Sequence, residues 1–339
     1  MQRVWFNKTF SSVGAAIRLI READAAGDYE IVCSSTNPHA PAFLAAHASS
    51  VEPSGLTGPA YLAWCLDFCR TQGIGIFIPG KEASLISGAR AQFEAQGTRV
   101  LSVAAPDMLD LLHDKARFYQ RVDCSTPPAA FRVVETAVQF DAAYRELREN
   151  HPKLCIKPSV SVYGLGFSVL DEERSSAQLL LEGVQYHIGL DDLRRGFEAM
   201  KTFRPMLVME YLDGHEFSVD CVGDHGRLVC AVPRKKPLLA GQGQTIDLRD
   251  DILESTRQLT AAYGLNGVFN VQFREGQSGL GLLEINPRMS GGIAMACLAG
   301  PNLPYLALAG FDRGFNGLPI APIRTDLRVG ELSHAVALP

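Results

Sequence analysis

The 339-residue sequence lacks a long apolar run, a closely spaced pair of cysteines and an excess of basic residues. No stretch approaches the roughly 20 apolar residues that span a bilayer, and the first ten residues lack the apolar core of a signal peptide. We therefore expect a cytoplasmic protein with no membrane contact. The eight cysteines form no CxxC pair, which argues against a zinc site and favours reduced core residues. A net charge of −5 is the wrong sign for broad nucleic-acid binding.

The first hundred residues alternate between strand and helix patterns. Strands are predicted at residues 3–6, 30–33, 74–78 and 99–103, with helices between them, the last over residues 83–96. This β-α-β-α order predicts a parallel sheet covered by helices. After Pro106 the pattern changes: Asp107 is predicted to cap a short helix, a second helix is predicted from Lys115 to Val122, and strands and hairpins dominate after Pro127-Pro128. An α/β region is thus expected to precede an α+β region.

The strongest local motif is Leu282-Leu283-Glu284-Ile285-Asn286-Pro287-Arg288. In a strand, Glu284 and Asn286 would point to the same side because alternate side chains share a face. A carboxylate and an amide oxygen side by side are hard ligands suited to Mg²⁺. The preceding strand carries Asn270 and Gln272 with the same alternation. A half-exposed hairpin with a polar outer face would give the same pattern, so the residues alone leave both interpretations open.

A second motif is an apolar strand that runs into a turn with carboxylates at both ends, Glu210 and Glu216. Such a linker can accept a hydrogen bond from an adenine amino group and donate one from its backbone, and a later carboxylate can bind ribose hydroxyls. Acidic residues after a strand are also commonly solvated. The motif is weak by itself.

Two separated lysines are further candidates. Lys157 ends the apolar strand at residues 154–156, where a lysine is poorly placed without an anionic partner. The small residues that follow, up to Gly166, would let backbone N–H groups approach phosphate oxygens closely. Lys115 lies near the predicted boundary between the two domains. The alternative interpretation is an ordinary surface lysine with no functional role.

In their order and spacing, these motifs resemble the ATP-grasp superfamily, in its carbamoyl-phosphate-synthase-like and biotin-carboxylase-like branch. The resemblance extends from about residue 1 to residue 310 and includes the segment Asn-Pro-Arg-x-Ser-Gly-Gly at residues 286–292. It implies an α/β pre-ATP-grasp (Rossmann-like) domain with a parallel sheet, followed by an α+β ATP-grasp fold whose two subdomains clasp ATP. The implied limits are 1–106 for the first domain, 107–325 for the second with a small lid subdomain at about 120–210, and 326–339 for a C-terminal tail.

The resemblance also implies a role for each matching residue. The ATP contacts would be Lys115, Lys157, Ser161 and Gly164 for the phosphates, Glu210, Tyr211 and Leu212 for adenine, and Glu216 for ribose. The ligands of Mg²⁺, with Mn²⁺ as an alternative ion, would be Glu284, Asn286 and Gln272. Arg288 would stabilise the transferred phosphoryl group. The loop after Lys157 has fewer glycines than is usual in the superfamily, so how it closes over phosphate is open.

A basic cluster, Arg234-Lys235-Lys236, follows another predicted strand. The resemblance places this segment beside the γ-phosphate, where Arg234 and Lys236 could hold a substrate carboxylate. A basic turn in solvent is the alternative.

The main functional hypothesis is an ADP-forming ligase that activates a carboxylate as an acyl phosphate and couples it to an amine or similar nucleophile. Its partners would be small-molecule carboxylate and amine substrates, with no nucleic acid and no membrane, and a homodimer is left open. One alternative is an enzyme that forms carboxyphosphate or carbamoyl phosphate. Another is a catalytically silent nucleotide-binding regulatory or scaffold protein.

Overall fold

The computed structural model describes residues 1–8, 11–161, 164–239, 241–332 and 335–337. The chain divides into two compact units, one formed by Met1–Asp110, Glu216–Gln272 and Ile285–Pro339, and the other by Leu111–His215 and Phe273–Glu284. The strands are β1 (Gln2–Phe6), β2 (Tyr29–Ser35), β3 (Ala48–Val51), β4 (Ile76–Ile78), β5 (Arg99–Val100), β6 (Phe131–Val134), β7 (Leu154–Pro158), β8 (Ser168–Asp171), β9 (His187–Gly189), β10 (Met206–Glu210), β11 (Glu216–Asp224), β12 (Arg227–Lys235), β13 (Gln244–Ile246), β14 (Gly267–Gly276), β15 (Gly279–Asn286) and β16 (Arg328–Val329).

The helices are α1 (Ser11–Ala23), α2 (Gly58–Gln72), α3 (Ala83–Gly88), α4 (Arg90–Glu94), α5 (Pro106–His113), α6 (Lys115–Arg121), α7 (Ala137–Arg148), α8 (Ser176–Leu181), α9 (Leu190–Glu198), α10 (Asp250–Ala262), α11 (Ile293–Cys297) and α12 (Leu303–Arg313). A short 3-10 helix covers Pro41–Ala45. In the described part of the chain, no helix combines the length and the apolar character needed to cross a membrane.

The first unit contains a parallel five-stranded sheet in the order β3-β2-β1-β4-β5. Its central strand β1 is buried on both faces, as is usual for parallel sheets covered by helices. Val4 packs with Ile17 of α1 in one apolar cluster. Trp5 points the other way and stacks on Phe77, with ring centroids 4.1 Å apart. Because β2 and β4 lie on opposite sides of β1, the sheet has a switch point at the carboxyl end of β1.

The first unit also contributes to a six-stranded sheet in the order β15-β14-β11-β12-β13-β16. The pairs β11–β12, β12–β13 and β13–β16 are antiparallel. The tight turn between β11 and β12 has positive φ at His225 and Gly226, which suits the twist of a two-residue hairpin loop. Residues of α11 and α12, such as Ile293 and Leu303, pack against this sheet in a buried apolar cluster that includes Val232.

The second unit is built on a five-stranded sheet in the order β6-β10-β7-β8-β9. Its strands are antiparallel except for the parallel pair β8–β9. Phe140 and Leu147 of α7 pack with Phe197 of α9 and with Val208 of β10. The hydroxyl of Thr136 begins α7 by accepting a hydrogen bond from the Gln139 N–H, which satisfies one of the free donors of a helix start.

The predicted fold class is confirmed, because a parallel α/β sheet comes first and a mixed and an antiparallel sheet follow. Three local predictions are wrong, the third of which concerns Asp107. The helix expected over residues 83–96 is broken at Ala89 into α3 and α4. The expectation that strands dominate after Pro127-Pro128 missed α7, α8 and α9. The domain limits at residues 106 and 325, and the lid at about 120–210, stay a prediction.

Asp107 lies inside the first turn of α5 and is not its cap. The cap of this region is Asp114, which precedes α6 and accepts hydrogen bonds from the N–H groups of Ala116 and Arg117. Capping by Asp114 fixes the start of α6 and so the position of its first residue, Lys115.

Candidate functional site

Lys115 and Glu284 form an ion pair in the second unit. The Lys115 Nζ lies 3.3 Å from a Glu284 oxygen and donates to the Ser161 carbonyl at 3.1 Å. Only 8% of the Lys115 surface is exposed. Burial lowers the pKa of the Lys115 ammonium, and the Glu284 carboxylate opposes that shift. A lysine from α6 and a carboxylate from β15 are therefore held together at a largely dehydrated place.

Lys157, at the end of β7, belongs to the same group. Its Nζ donates to the Tyr119 hydroxyl at 2.9 Å, and the Tyr119 hydroxyl donates to the Leu283 carbonyl. Burial lowers the pKa of Lys157, and it raises the pKa of Tyr119 well above its ordinary value. Tyr119 is thus a neutral hydroxyl that ties Lys157 to the backbone next to Glu284.

Next to the two lysines, Ser159 connects the end of β7 to the start of α6 through hydrogen bonds. The Ser159 hydroxyl donates to the Asp114 carboxylate and accepts from the Ala116 N–H at 3.1 Å. The Lys115 N–H donates to the Ser159 carbonyl at 3.0 Å. The two lysines thus stand on elements joined by a buried hydrogen-bond network, which limits how far each can move.

The loop after β7 contains two predicted phosphate contacts. The Ser161 carbonyl accepts a hydrogen bond from the Lys115 ammonium. Gly164 has a positive φ of 69°. Val162 and Tyr163 lie outside the described residues. Gly166 also has a positive φ, of 82°, and a Cβ there would come within 2.8 Å of Pro158. Both glycines therefore suit a backbone that other residues adopt only with strain.

The predicted adenine segment follows β10 in the second unit. Glu210 is 6% exposed and accepts a hydrogen bond from the Ser278 hydroxyl at 2.6 Å, and the His151 Nδ1 lies 3.5 Å from its other oxygen. Arg274 lies over the ring of Tyr211 at 5.6 Å. Leu212 is buried. The Glu210 carboxylate is thus already in contact with protein groups. The resemblance implies that this carboxylate contacts the adenine amino group.

Glu216 and Lys236 pair with each other in the first unit. Lys236 Nζ donates to the Glu216 carboxylate at 2.5 Å, and the Lys236 N–H donates to the Glu216 carbonyl at 2.7 Å. The structure therefore brings together a residue predicted for ribose and one predicted for the substrate carboxylate. Both side chains keep part of their surface exposed, with 34% for Lys236 and 21% for Glu216.

The remaining predicted metal ligands lie on the two strands expected for them. Gln272 is in β14, and Asn286 ends β15, two residues after Glu284. All three side chains are half-buried, whereas Ile285 between the last two is buried. The alternation of burial is therefore present over residues 284–286, but it does not extend to Leu283, which is half-buried like Glu284. Arg288 follows in a tight turn, where its N–H donates to the Asn286 carbonyl at 2.7 Å.

Arg234 lies inside β12 and is 2% exposed, so the alternative of a basic turn in solvent does not hold for this residue. Its guanidinium contacts Asp220 at 2.8 Å and 2.9 Å. It also donates to the hydroxyls of Ser218 at 3.1 Å and Ser290 at 3.0 Å, and to the amide oxygen of Gln244. The structure thus surrounds Arg234 with protein acceptors, and its role with a substrate stays a prediction.

Sequence reasoning missed Tyr119 and Asp220 and read Asn270 only as part of a polar face. Asn270 is fully buried and donates to Ser218 at 3.0 Å and to Asp220 at 3.1 Å, while its own side-chain oxygen has no hydrogen-bond partner. One signal was available: Ser218 and Asp220 alternate with apolar residues in β11, which marks a polar stripe on an otherwise buried strand. Nothing in the sequence distinguished Tyr119 from other aromatic residues of a helix.

Taken one by one, the predicted residues have the side-chain chemistry that a magnesium nucleotide requires. Two ammonium groups and an arginine suit phosphate oxygens, while the Glu284 carboxylate and the amides of Asn286 and Gln272 are hard oxygen ligands of the kind Mg²⁺ takes. Among the described residues no group of three or more histidine, cysteine, aspartate or glutamate side chains could hold a metal. A site with one carboxylate and two amides suits an ion that takes its other ligands from phosphates and water.

Comparisons with known proteins agree with these motifs. A family model described as ATP-grasp in the biosynthetic pathway with the Ter operon matches residues 202–335. The carbamoyl phosphate synthase large chain of Clostridium perfringens is 24% identical over an alignment of 240 residues, with coverage of 66% of this chain and 19% of that protein. The chain therefore spans about one fifth of the length of the curated relatives it matches.

Two solved structures show the same fold over nearly the whole chain. One is N5-carboxyaminoimidazole ribonucleotide synthetase in an ADP complex, with a TM-score of 0.65, 13% identity, and coverage of 96% of this chain and 79% of that one. The other is the biotin carboxylase domain dimer of Hydrogenobacter thermophilus 2-oxoglutarate carboxylase, solved with MgADP, ADP and bicarbonate. It has a TM-score of 0.62, 13% identity, and coverage of 96% and 72%. The resemblance read from the ordered motifs is thereby confirmed, and this chain has the ATP-grasp fold.

Proposed function

We propose that the protein is an ADP-forming ligase that uses MgATP to activate a carboxylate and couples it to an amine or similar nucleophile. The observation that carries this proposal is the charge of the group around Lys115 in the second unit. Lys115 and Lys157 supply two ammonium groups, and the Glu284 carboxylate forms an ion pair with Lys115. The Asp114 carboxylate also acts electrostatically on Lys115, but it accepts hydrogen bonds from Ser159 and from the start of α6. An anion brought to these dehydrated cations would offset the cost of their burial. Triphosphate oxygens provide that charge.

The proposed roles follow from side-chain chemistry. Lys115 and Lys157 donate to phosphate oxygens, with Ser161 and Gly164 in the loop beside them. Glu210, Tyr211 and Leu212 take the adenine, and Glu216 takes the ribose. For Glu210 and Glu216, this role requires the carboxylate to accept a nucleotide donor in addition to, or in place of, its present partner.

Mg²⁺ would be held by Glu284 and Asn286 with Gln272 in support, and it would neutralise phosphate charge as the second anion approaches. The assignment rests on oxygen donors that alternate along β15. Mn²⁺ as a substitute stays a prediction.

The proposed chemistry has two steps. A carboxylate oxygen of the acid attacks the γ-phosphorus of ATP, an O–P bond forms, and the bond to the bridging oxygen breaks with its electron pair leaving on ADP. The amine nitrogen then attacks the acyl carbon, a C–N bond forms, and the C–O bond to phosphate breaks. The amine gives up one proton, and phosphate leaves. Arg288 and the lysines offset the negative charge that accumulates in the first step.

The chemistry of the relatives supports this proposal without fixing the substrates. A bicarbonate-using structural neighbour also supports the second candidate, an enzyme that forms carboxyphosphate. That candidate predicts ADP release that depends on bicarbonate alone. The small-molecule acid and amine partners, the absence of nucleic-acid binding, the homodimer and the cytoplasmic location remain predictions.

The test is turnover of the purified protein with MgATP and pools of acids and amines, with ADP, AMP and phosphate measured separately. ADP and phosphate that require both an acid and an amine support the ligase. AMP and pyrophosphate would exclude the acyl-phosphate route, and nucleotide binding without turnover in any pool would favour a silent regulatory protein.

A variant pair makes the same assay residue-specific. Glu284→Gln keeps the size of the side chain and removes its charge, and we expect it to lower ADP formation by about 100-fold or more. The exposed Glu198 of α9 offers the matched control, Glu198→Gln, which should turn over like the wild type. Equal rates for the two variants would remove Glu284 from the site.

A further inference from the structure

The first unit contains a cleft that the proposed nucleotide contacts do not use; its cavity volume is about 50 Å³, and about 600 Å³ when the open space at its mouth is included. It opens at the carboxyl ends of β1 and β4, where Phe6 and Ile78 line it. In open α/β sheets, ligands bind at such a switch point. Arg288 also lines the cleft.

We propose that this cleft binds the acid substrate, and that the acid is a small monocarboxylate with an apolar body and no ammonium group. This rests on the proposed function, because it assigns the substrate class of the reaction proposed above. It adds a location and a chemical class that the nucleotide motifs do not provide.

The walls of the cleft define the apolar body. Most of its lining consists of aliphatic, aromatic, proline and methionine side chains, such as Val13, Leu101 and Met289. Asn7 is a polar residue of the lining, but its amide is already engaged, since it donates to the Tyr61 hydroxyl at 2.7 Å and accepts from the Gly80 N–H at 2.7 Å. Ser12 is a second uncharged polar residue of the lining. A hydrocarbon group in the cleft would therefore contact mostly apolar side chains.

The charge at the cleft defines the other end of the ligand. Among the described residues that line it, Arg288 is the one charged side chain, and no carboxylate is present. A guanidinium matches a carboxylate well because it can offer two parallel N–H donors. The Arg288 Nη1 already donates to the Met289 carbonyl at 3.2 Å, so a bound carboxylate would share this guanidinium with the backbone. An α-amino acid would bring an ammonium group with no anionic partner in this lining, and that group would lose water without compensation.

The position of Arg288 links this end to the reacting atoms. The Arg288 N–H donates to the carbonyl of Asn286, a proposed metal ligand, at 2.7 Å. An acid held by Arg288 would therefore have its carboxylate at the turn that carries that ligand, with its hydrocarbon part toward Ile78. Bicarbonate has no apolar part to use these walls, which weighs against the carboxyphosphate candidate.

The binding experiment compares three probes that share one carbon skeleton: 4-methylpentanoate, its amide 4-methylpentanamide, and leucine, which adds an ammonium group. Saturation-transfer NMR on the full chain, with and without the β,γ-methylene analogue of ATP, reports binding of each probe. We expect 4-methylpentanoate to bind at least about tenfold more tightly than the other two. The amide lacks the negative charge that pairs with Arg288, and leucine adds an ammonium group that has no anionic partner in the lining. Equal or tighter binding of leucine, or no binding of 4-methylpentanoate under either condition, would overturn the inference.

Variants at Ile78 locate the bound acid. Ile78→Phe narrows the cleft and should weaken the binding of 4-methylpentanoate by about tenfold or more. Ile78→Ala should shift the binding preference toward the longer 5-methylhexanoate. The matched control is Ile320→Phe, at a residue that is 44% exposed and outside the lining. If Ile78→Phe does not fold, the chain-length preference of Ile78→Ala tests whether the acid binds in this cleft. An unchanged preference in Ile78→Ala contradicts that location.

Turnover separates failure of this inference from failure of the proposed function. With MgATP and hydroxylamine as the trapping nucleophile, ADP and an acyl hydroxamate formed from 4-methylpentanoate support both. ADP formed with leucine or bicarbonate but not with 4-methylpentanoate keeps a ligase and rejects this substrate class. Binding of 4-methylpentanoate that Ile78→Phe weakens, without ATP turnover on any acid, supports the chemistry of the cleft and contradicts the ligase.

Discussion

The buried ion pair between Asp220 and Arg234 allows a quantitative test of the packing of the first unit. Asp220 is fully buried and Arg234 is 2% exposed. Asp220→Ala would leave the guanidinium buried without its counter-charge, although the serine and glutamine acceptors around it would remain. Removal of one partner from a buried pair typically costs about 3–5 kcal/mol. We therefore expect Asp220→Ala to lower the free energy of unfolding by about 4 kcal/mol.

Urea unfolding followed by tryptophan fluorescence is the appropriate assay. The two tryptophans, Trp5 and Trp64, both lie in the first unit, as does the ion pair. If the m-value is about 2.5 kcal/mol per M urea, a loss of 4 kcal/mol lowers the midpoint by about 1.6 M. Fluorescence thus reports the unit that contains the perturbation, even if the other unit unfolds separately.

The control lies on the same hairpin. Asp224 pairs with Arg227 at 2.7 Å, but that arginine side chain is 59% exposed. An exposed pair contributes about 0–1 kcal/mol, so Asp224→Ala should barely move the midpoint. A double variant, Asp220→Leu with Arg234→Met, should recover only part of the loss, because Asn270 also donates to Asp220. Equal losses for Asp220→Ala and Asp224→Ala would refute the argument.

Three further predictions concern packing, the lysine group and pH. Gly292→Ala places a Cβ against the guanidinium of the buried ion pair and should cost about 1–3 kcal/mol in the urea assay, whereas Gly291→Ala, with open space around it, should cost far less. Tyr119→Phe removes the hydroxyl that holds Lys157, so it should raise the KM for ATP while the fold persists by circular dichroism. The pKa of Glu172 is lowered by hydrogen bonds from an arginine and a tyrosine, so its stabilising effect is present above its ordinary pKa and is lost as pH falls. Glu172→Gln should therefore cost under about 1 kcal/mol at pH 7, and the difference from wild type should vanish in acid.

Local pattern was enough to predict the strand that carries Glu284 and Asn286. Alternation is a property of the strand itself, so it needs no knowledge of distant residues. The pairing of Lys115 with Glu284 could not be read in the same way, because it joins α6 to β15 and depends on the tertiary fold. The sequence therefore indicated which residue types matter but not which would meet.

The missed helices have a different cause. In α7, Phe140, Tyr144 and Leu147 are spaced at helical intervals and are buried, so the signal was present in the sequence. It was outweighed by the expectation that a β-rich region follows Pro127-Pro128. The break between α3 and α4 at Ala89 has no glycine or proline to announce it, and nothing in the sequence distinguished it from a continuous helix.

Arg234 was assigned to the substrate from a run of three basic residues, and its surroundings now argue for another role. Its guanidinium already donates to a carboxylate, two hydroxyls and an amide, so a substrate carboxylate would have to displace a buried partner and leave it unsatisfied. Through the Ser290 hydroxyl it holds the loop that follows Arg288. If it acts by positioning that loop, Arg234→Lys should lower stability and kcat together. If it binds the acid, the same change should raise the KM for the acid with the urea midpoint unchanged.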